Sequence, residues 1–167
     1  MKRAVLAASI AGLLAAGCGT PDANFPEPAA CPSPAAVPTS RATPGTASVP
    51  AMLARIRNGA AELAALRERL RESYPSDTFS RRDAFRPDFA RYADATLCLA
   101  RELRGLTPPP RLEAWKARVD AALDALIAHT EGGREAVRTR NVSEYRDWYR
   151  GVDARIDAVE EAAAATP

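Results

Sequence analysis

The side chains able to do chemistry are few, and their spacing is poor for catalysis. The chain has 167 residues, with one histidine, His129, and three cysteines, Cys18, Cys31 and Cys98. A single imidazole rules out two-histidine metal clips and the paired Glu-x-x-His motifs of di-iron bundles. Residues flanking His129 by one helical turn are Ala125, Leu126, Gly132 and Gly133, so no carboxylate stands ready to orient the ring as in a Ser-His-Asp triad. A haem bundle would need Met52 opposite His129, yet an antiparallel arrangement puts them near opposite ends. Two isolated thiols and one imidazole do not make a closed tetrahedral zinc shell. Consecutive carboxylates such as Glu160-Glu161 diverge on a helix and read as a solvated face. Gly-rich phosphate loops, nucleophile elbows and Cys-x-x-Cys pairs do not occur. The chain therefore reads as non-enzymatic, with no cofactor and no metal.

The amino terminus carries a different kind of chemistry. Lys2 and Arg3 precede an apolar run from Ala4 to Gly17, shorter than the roughly 20 residues a membrane span needs and matched to a signal-peptide core. Its end, Ala15-Ala16-Gly17-Cys18, resembles the lipobox of bacterial lipoproteins, although Leu14 stands four residues before the cysteine where the family prefers three. That resemblance implies removal of residues 1–17 and a palmitate-bearing diacylglyceryl thioether on Cys18, which becomes the first residue. It implies an extracytoplasmic protein, lipid-anchored to a bacterial membrane. Ala15-x-Gly17 also meets the small-residue rule for ordinary secretory cleavage, which is the alternative. Without Lys2 and Arg3 the 23 basic residues become 21, equal to the 21 acidic ones. A neutral chain lacks the basic face that displaces counterions from phosphates, so nucleic acid is not an expected partner.

With Cys18 assigned to lipid, Cys31 and Cys98 remain in a compartment where disulfides persist. Free thiols are the alternative. Cys98 falls about 135° from the centre of its helix's apolar seam, among Arg91, Asp94, Arg101 and Glu102, where it can staple a passing strand. A Cys31–Cys98 bridge would leave about twelve residues of free leash after Cys18.

These groups are carried by two kinds of segment. Residues 18–50 hold eight of the 14 prolines and one large apolar residue, Phe25, and read as a disordered, PPII-leaning tether. Residues 51–165 show helical periodicity. The first run sets Met52, Ile56, Gly59, Leu63, Leu66 and Leu70 on one seam, with Arg55, Arg57, Arg67, Arg69 and Arg71 outside it, and Pro75 stops it. The second starts near Pro87, carries Phe85, Phe89, Tyr92, Thr96, Leu99, Leu103 and Leu106, and ends before Pro108-Pro109-Pro110. The third carries Leu112, Trp115, Val119, Ala122, Leu126, His129, Gly133 and Val137. The fourth opens at Asn141-Val142-Ser143-Glu144, with capping-box spacing, and carries Tyr145, Trp148, Val152, Ile156 and Val159. Short connections between amphipathic helices predict an all-α, antiparallel up-and-down four-helix bundle. Acidic residues of the fourth run face the arginines of the first as weak exposed pairs. The bundle resembles the broad type of small helical bacterial lipoproteins, without the Leu-Thr-x-x-Gln repeats of periplasmic stress chaperones.

That topology gathers eight of the ten aromatic residues at one pole: Tyr74, Phe79, Phe85, Phe89, Tyr92, Tyr145, Trp148 and Tyr149. Gly132 and Gly133 lie there too, each unfavourable in a helix by roughly 1 kcal/mol and suited to close approach. Two readings follow. Either the rings fill a flared bundle end, or Tyr92, His129, Tyr145, Trp148 and Tyr149 border a small-molecule pocket on the pole away from the tether's entry. The functional expectation is a structural or protein-interaction module in the cell envelope, with small-molecule binding at the aromatic pole as the alternative.

Overall fold

The computed structural model describes residues 25–31, 48–78 and 82–165. The signal segment, Cys18 and Phe79 lie outside the described residues. Four helices make up the domain: α1 (Val49–Ser73), α2 (Phe85–Arg104), α3 (Glu113–Arg138) and α4 (Val142–Ala164), with a 3₁₀ turn at Pro110–Leu112 leading into α3. Packing runs α1 on α2, α2 on α3, α3 on α4 and α4 back on α1, the closed ring of an up-and-down bundle.

Local chemistry sets the boundaries. The chain leaves α1 at Tyr74, and Pro75 follows, which removes an amide donor and disfavours helix at the residue before it. At the start of α4 the Asn141 side chain accepts a hydrogen bond from the Glu144 amide at 3.3 Å, the N-cap expected from the sequence. Lys116, buried on α3, donates to the Arg104 carbonyl at 2.9 Å and to Asp120 at 2.6 Å. Its ammonium thus meets the exposed carbonyl end of α2, where the helix dipole favours a cation.

The expected seams are buried almost throughout, including Phe85, Phe89, Leu103, Trp115, Val119, Leu126, Tyr145, Trp148, Val152 and Val159. The seam of α1 drifts. Leu66 is only half buried, while Arg67, expected on the surface, is 3% exposed. Among its neighbours, Arg55 pairs with Glu102 of α2, and Arg57 donates to the Ala163 carbonyl of α4 at 3.1 Å. The anticipated α1–α4 charge pairing is therefore confined to Arg67 and Arg71, which share Asp153.

The described part of the amino-terminal segment, residues 25–31, is packed against the bundle. Phe25 is 7% exposed and belongs to the core, and the chain from Phe25 to Cys31 lies along α2 and α3. Helix α1 begins at Val49, with Pro50 in its first turn, where the missing amide donor costs nothing.

Candidate functional site

Two features of the bundle organise the residues singled out in the sequence. The first is the aromatic pole, where the N-terminal half of α2 meets the ends of α1 and α3 and the start of α4. Phe89 meets Trp148 edge to face with centroids 4.7 Å apart, and Phe85 meets Tyr145 in the same way at 5.4 Å. Tyr145 and Trp148 stack at 5.6 Å, and Tyr92 approaches the indole at 5.8 Å. These are the separations at which ring quadrupoles attract. Trp148 is 2% exposed, and Tyr92 and Tyr145 are also buried. Tyr149, half-buried, donates its hydroxyl to the Pro75 carbonyl at 2.9 Å, tying α4 to the end of α1.

His129 is half-buried on α3. Its Nε2 lies 2.9 Å from the Trp148 carbonyl, and since a carbonyl only accepts, Nε2 carries the proton. Its imidazole lies over Gly151, where a Cβ would stand 2.8 Å from Cε1. A Cβ on Gly133 would collide with the Trp148 indole, whereas Gly132 has nothing within 4 Å and faces outward. Of the two glycines expected to permit close approach, only Gly133 does so. The five residues proposed as pocket lining are brought together, but as packed rings against each other, Gly133 and Gly151. A wide groove lies elsewhere, along α1 and α2, lined by Arg55, Glu62, Arg91, Leu99, Glu102 and Leu106 and by none of the five. Tyr92 alone borders a shallow outer recess, with Leu66, Tyr74 and Asp88.

Sequence reasoning missed Arg67 as part of this pole. Its Nε donates to Asp153 at 3.0 Å, and its Cζ sits 4.9 Å from the Tyr149 ring centre and 5.7 Å from that of Trp148. Guanidinium over a desolvated aromatic face is favourable by ~2 kcal/mol. Nη1 and Nη2 have no hydrogen-bond partner among the described residues. Burial pushes the Tyr92 hydroxyl up to about 12 despite the opposing pull of the Arg67 charge, and burial likewise raises Tyr145. Both phenols therefore stay protonated at any ordinary pH. Tyr74, on the rim, is raised mainly because its hydroxyl donates to Asp88 at 2.5 Å.

The second feature is a clasp. Cys31 and Cys98 are disulfide-bonded, with Cα atoms 5.2 Å apart. Six residues upstream, the Phe25 ring sits between two guanidiniums, with Arg134 Cζ at 5.1 Å and Arg86 Cζ at 5.5 Å from its centre. Arg134 also donates to the Pro26 carbonyl at 2.7 Å and to Asp94 at 3.0 Å, and Asp94 accepts from the Ala29 amide at 3.1 Å. Arg134 and Asp94 are 11% and 12% exposed, so this ion pair is screened far less than a surface pair. Phe25 was legible as the one large apolar residue in a Pro-rich stretch; its seat was not. Arg86 donates to the Arg138 carbonyl at the end of α3 at 3.3 Å, so the seat lies towards the aromatic pole. The strap therefore reaches back along the bundle: it seats Phe25 towards the aromatic pole, while the chain enters α1 at Val49 on the opposite pole, as expected.

No group of three or more His, Cys, Asp or Glu side chains among the described residues is placed to hold a metal ion. No described helix is long and apolar enough to cross a membrane. Comparison with protein-family models, with curated proteins and with solved structures finds no match to this chain.

Proposed function

We propose that this chain is an extracytoplasmic lipoprotein, anchored to a bacterial membrane through Cys18, whose helical bundle serves a non-enzymatic structural or protein-interaction role in the cell envelope. The observation that carries this reading is the Cys31–Cys98 bond. It supports an oxidising compartment, and it accounts for two of the three cysteines, the third being Cys18 behind a basic and apolar segment ending in Ala-Gly-Cys. The filled aromatic pole adds weight to a role for outer surfaces rather than an interior ligand. Partner recognition would then fall to the helix faces not covered by the clasp.

The test is metabolic labelling of the full-length protein with an alkyne-bearing palmitate analogue. Labelling and detergent-dependent membrane association are expected for the parent and lost in Cys18→Ser. Unchanged, detergent-requiring membrane association of Cys18→Ser would remove the reading.

A further inference from the structure

We propose that the clasp orients the bundle on the membrane. It holds the pole formed by the 74–84 connection and the 139–141 turn next to the lipid, and the opposite pole, at the 105–112 connection, away from it. The inference rests on the reading of Cys18 as the lipid-bearing residue, and it names the lipid surface as the neighbour of one particular end of the fold.

The argument is one of reach. Seven residue steps separate Cys18 from Phe25. Whatever their conformation they span at most about 25 Å, and a flexible chain of that length averages about 15 Å end to end. The strap from Phe25 to Cys31 is fixed by five contacts: two guanidiniums against the Phe25 ring, the Arg134–Pro26 hydrogen bond, the Asp94–Ala29 hydrogen bond and the covalent bond at Cys31. From Arg134, beside the ring, to the start of α3 at Glu113 is about 31 Å at 1.5 Å per residue. An inverted bundle, standing on its 105–112 pole, would lift Phe25 about 30 Å above the surface, beyond the full extension of the leash. Upright, the distance from Phe25 to the near pole is only a turn or two of helix, well within the coil average. The direction of the strap agrees. It runs from Cys98 in the body of α2 towards Arg86 at its start, so Phe25 sits nearer that pole than Cys31 does.

Among the described residues, opposite charges pair at this pole. At the near pole Arg140 faces Asp83 at 3.7 Å and Arg146 faces Asp77 at 3.3 Å, joining the 74–84 connection to the α3–α4 side. Mixed signs at this spacing leave little net field beyond a Debye length of about 8 Å at physiological salt. The tether is the feature assigned the orienting role, so neutral phosphatidylcholine is the surface on which to test it.

The experiment uses the full-length lipidated protein in phosphatidylcholine vesicles carrying a headgroup acceptor dye. A donor dye is attached by bioorthogonal chemistry at Thr78 or at Arg111, both exposed and at opposite poles. Strong energy transfer from position 78 and weak transfer from position 111 are expected. Equal transfer, or stronger transfer from 111, overturns the proposal. The combined Phe25→Ala, Cys31→Ser and Arg134→Ala variant removes the ring seat, the disulfide and the Pro26 contact and should erase the difference; a difference that survives assigns orientation to something other than the clasp and overturns the proposal too. Flotation with the vesicles separates the layers. Protein that fails to float refutes the lipid anchor itself, whereas protein that floats with the wrong transfer pattern refutes only the orientation.

Discussion

Gly133 of α3 lies directly against the Trp148 indole of α4, with no space for even a methyl group between them. One turn-position earlier, Gly132 faces open solvent. The two neighbours thus make opposite predictions for the same substitution. Gly132→Ala should stabilise by up to ~1 kcal/mol, the helix propensity difference. Gly133→Ala gains the same propensity but drives a Cβ into the indole, and overpacking should win with a net loss of about 1–2 kcal/mol. Urea unfolding of both variants checks the sign difference, and a stable Gly133→Ala protein would show that the α3–α4 interface is looser than the contact implies.

Arg67 is a buried charge packed on the aromatic rings, and its removal should depend on what replaces it. Arg67→Met keeps the aliphatic volume against Trp148 and Tyr149 and leaves Asp153, 45% exposed, to water and Arg71. It should fall within about 1 kcal/mol of the parent, because a buried charge carries its own desolvation cost. Arg67→Ala removes the packing as well and should cost about 2–4 kcal/mol. In the Met variant the Tyr92 titration should move up further, since Arg67 is the charge that pulls it down.

Alkaline stability follows from Tyr92, raised to about 12, and Tyr145, also raised. Below the unfolded tyrosine value of about 10 both states keep these protons and stability is level. Between about pH 10 and 12 the unfolded chain loses protons that the folded protein retains, so stability must fall with rising pH. Absorbance at the phenolate band should show Tyr92 and Tyr145 ionising only with unfolding. A full phenolate count before any loss of helix would contradict the burial of Tyr92 and Tyr145.

Opening the clasp should loosen the strap without melting the bundle. A bond closing a loop of 67 residues stabilises by up to about 4 kcal/mol in the chain-entropy view. Because the core between the helices does not depend on it, Cys31→Ser should lower the unfolding midpoint yet leave the far-ultraviolet helix signal unchanged. Adding Phe25→Ala should make the peptide bonds around Pro26 to Ala30 sensitive to limited proteolysis. Continued protection in the double variant would mean that the Asp94–Arg134 contacts hold the strap alone.

The four helices were legible in the chain because their determinants are local. An apolar repeat every three to four residues, Pro75 and the 108–110 prolines as stops, and Asn141 as a cap act within one or two turns and need no partner. The bundle topology followed from short connections, and the gathering of Tyr74, Phe85, Phe89, Tyr92, Tyr145, Trp148 and Tyr149 at one pole followed from the topology. The outward position of Cys98 was readable from its angle on the helix, which is why a passing strand could be expected to reach it.

Which member of a near-equivalent pair turns inward is decided only between helices. Leu66 and Arg67 flank the same seam of α1. Periodicity favours the leucine, but α4 presents Trp148, Tyr149 and Asp153 at that level, and a guanidinium satisfies all three where a leucine satisfies none. Gly132 and Gly133 are equivalent in composition and differ only because the indole of a distant helix arrives at one of them. Phe25 shows the same limit more strongly. Nothing local to a Pro-rich stretch specifies a seat, which exists only once Arg86 of α2 and Arg134 of α3 stand side by side. Helix formation is written in neighbours along the chain, whereas burial of a charge, the use of a glycine and the docking of a strap depend on groups brought together from opposite ends of it.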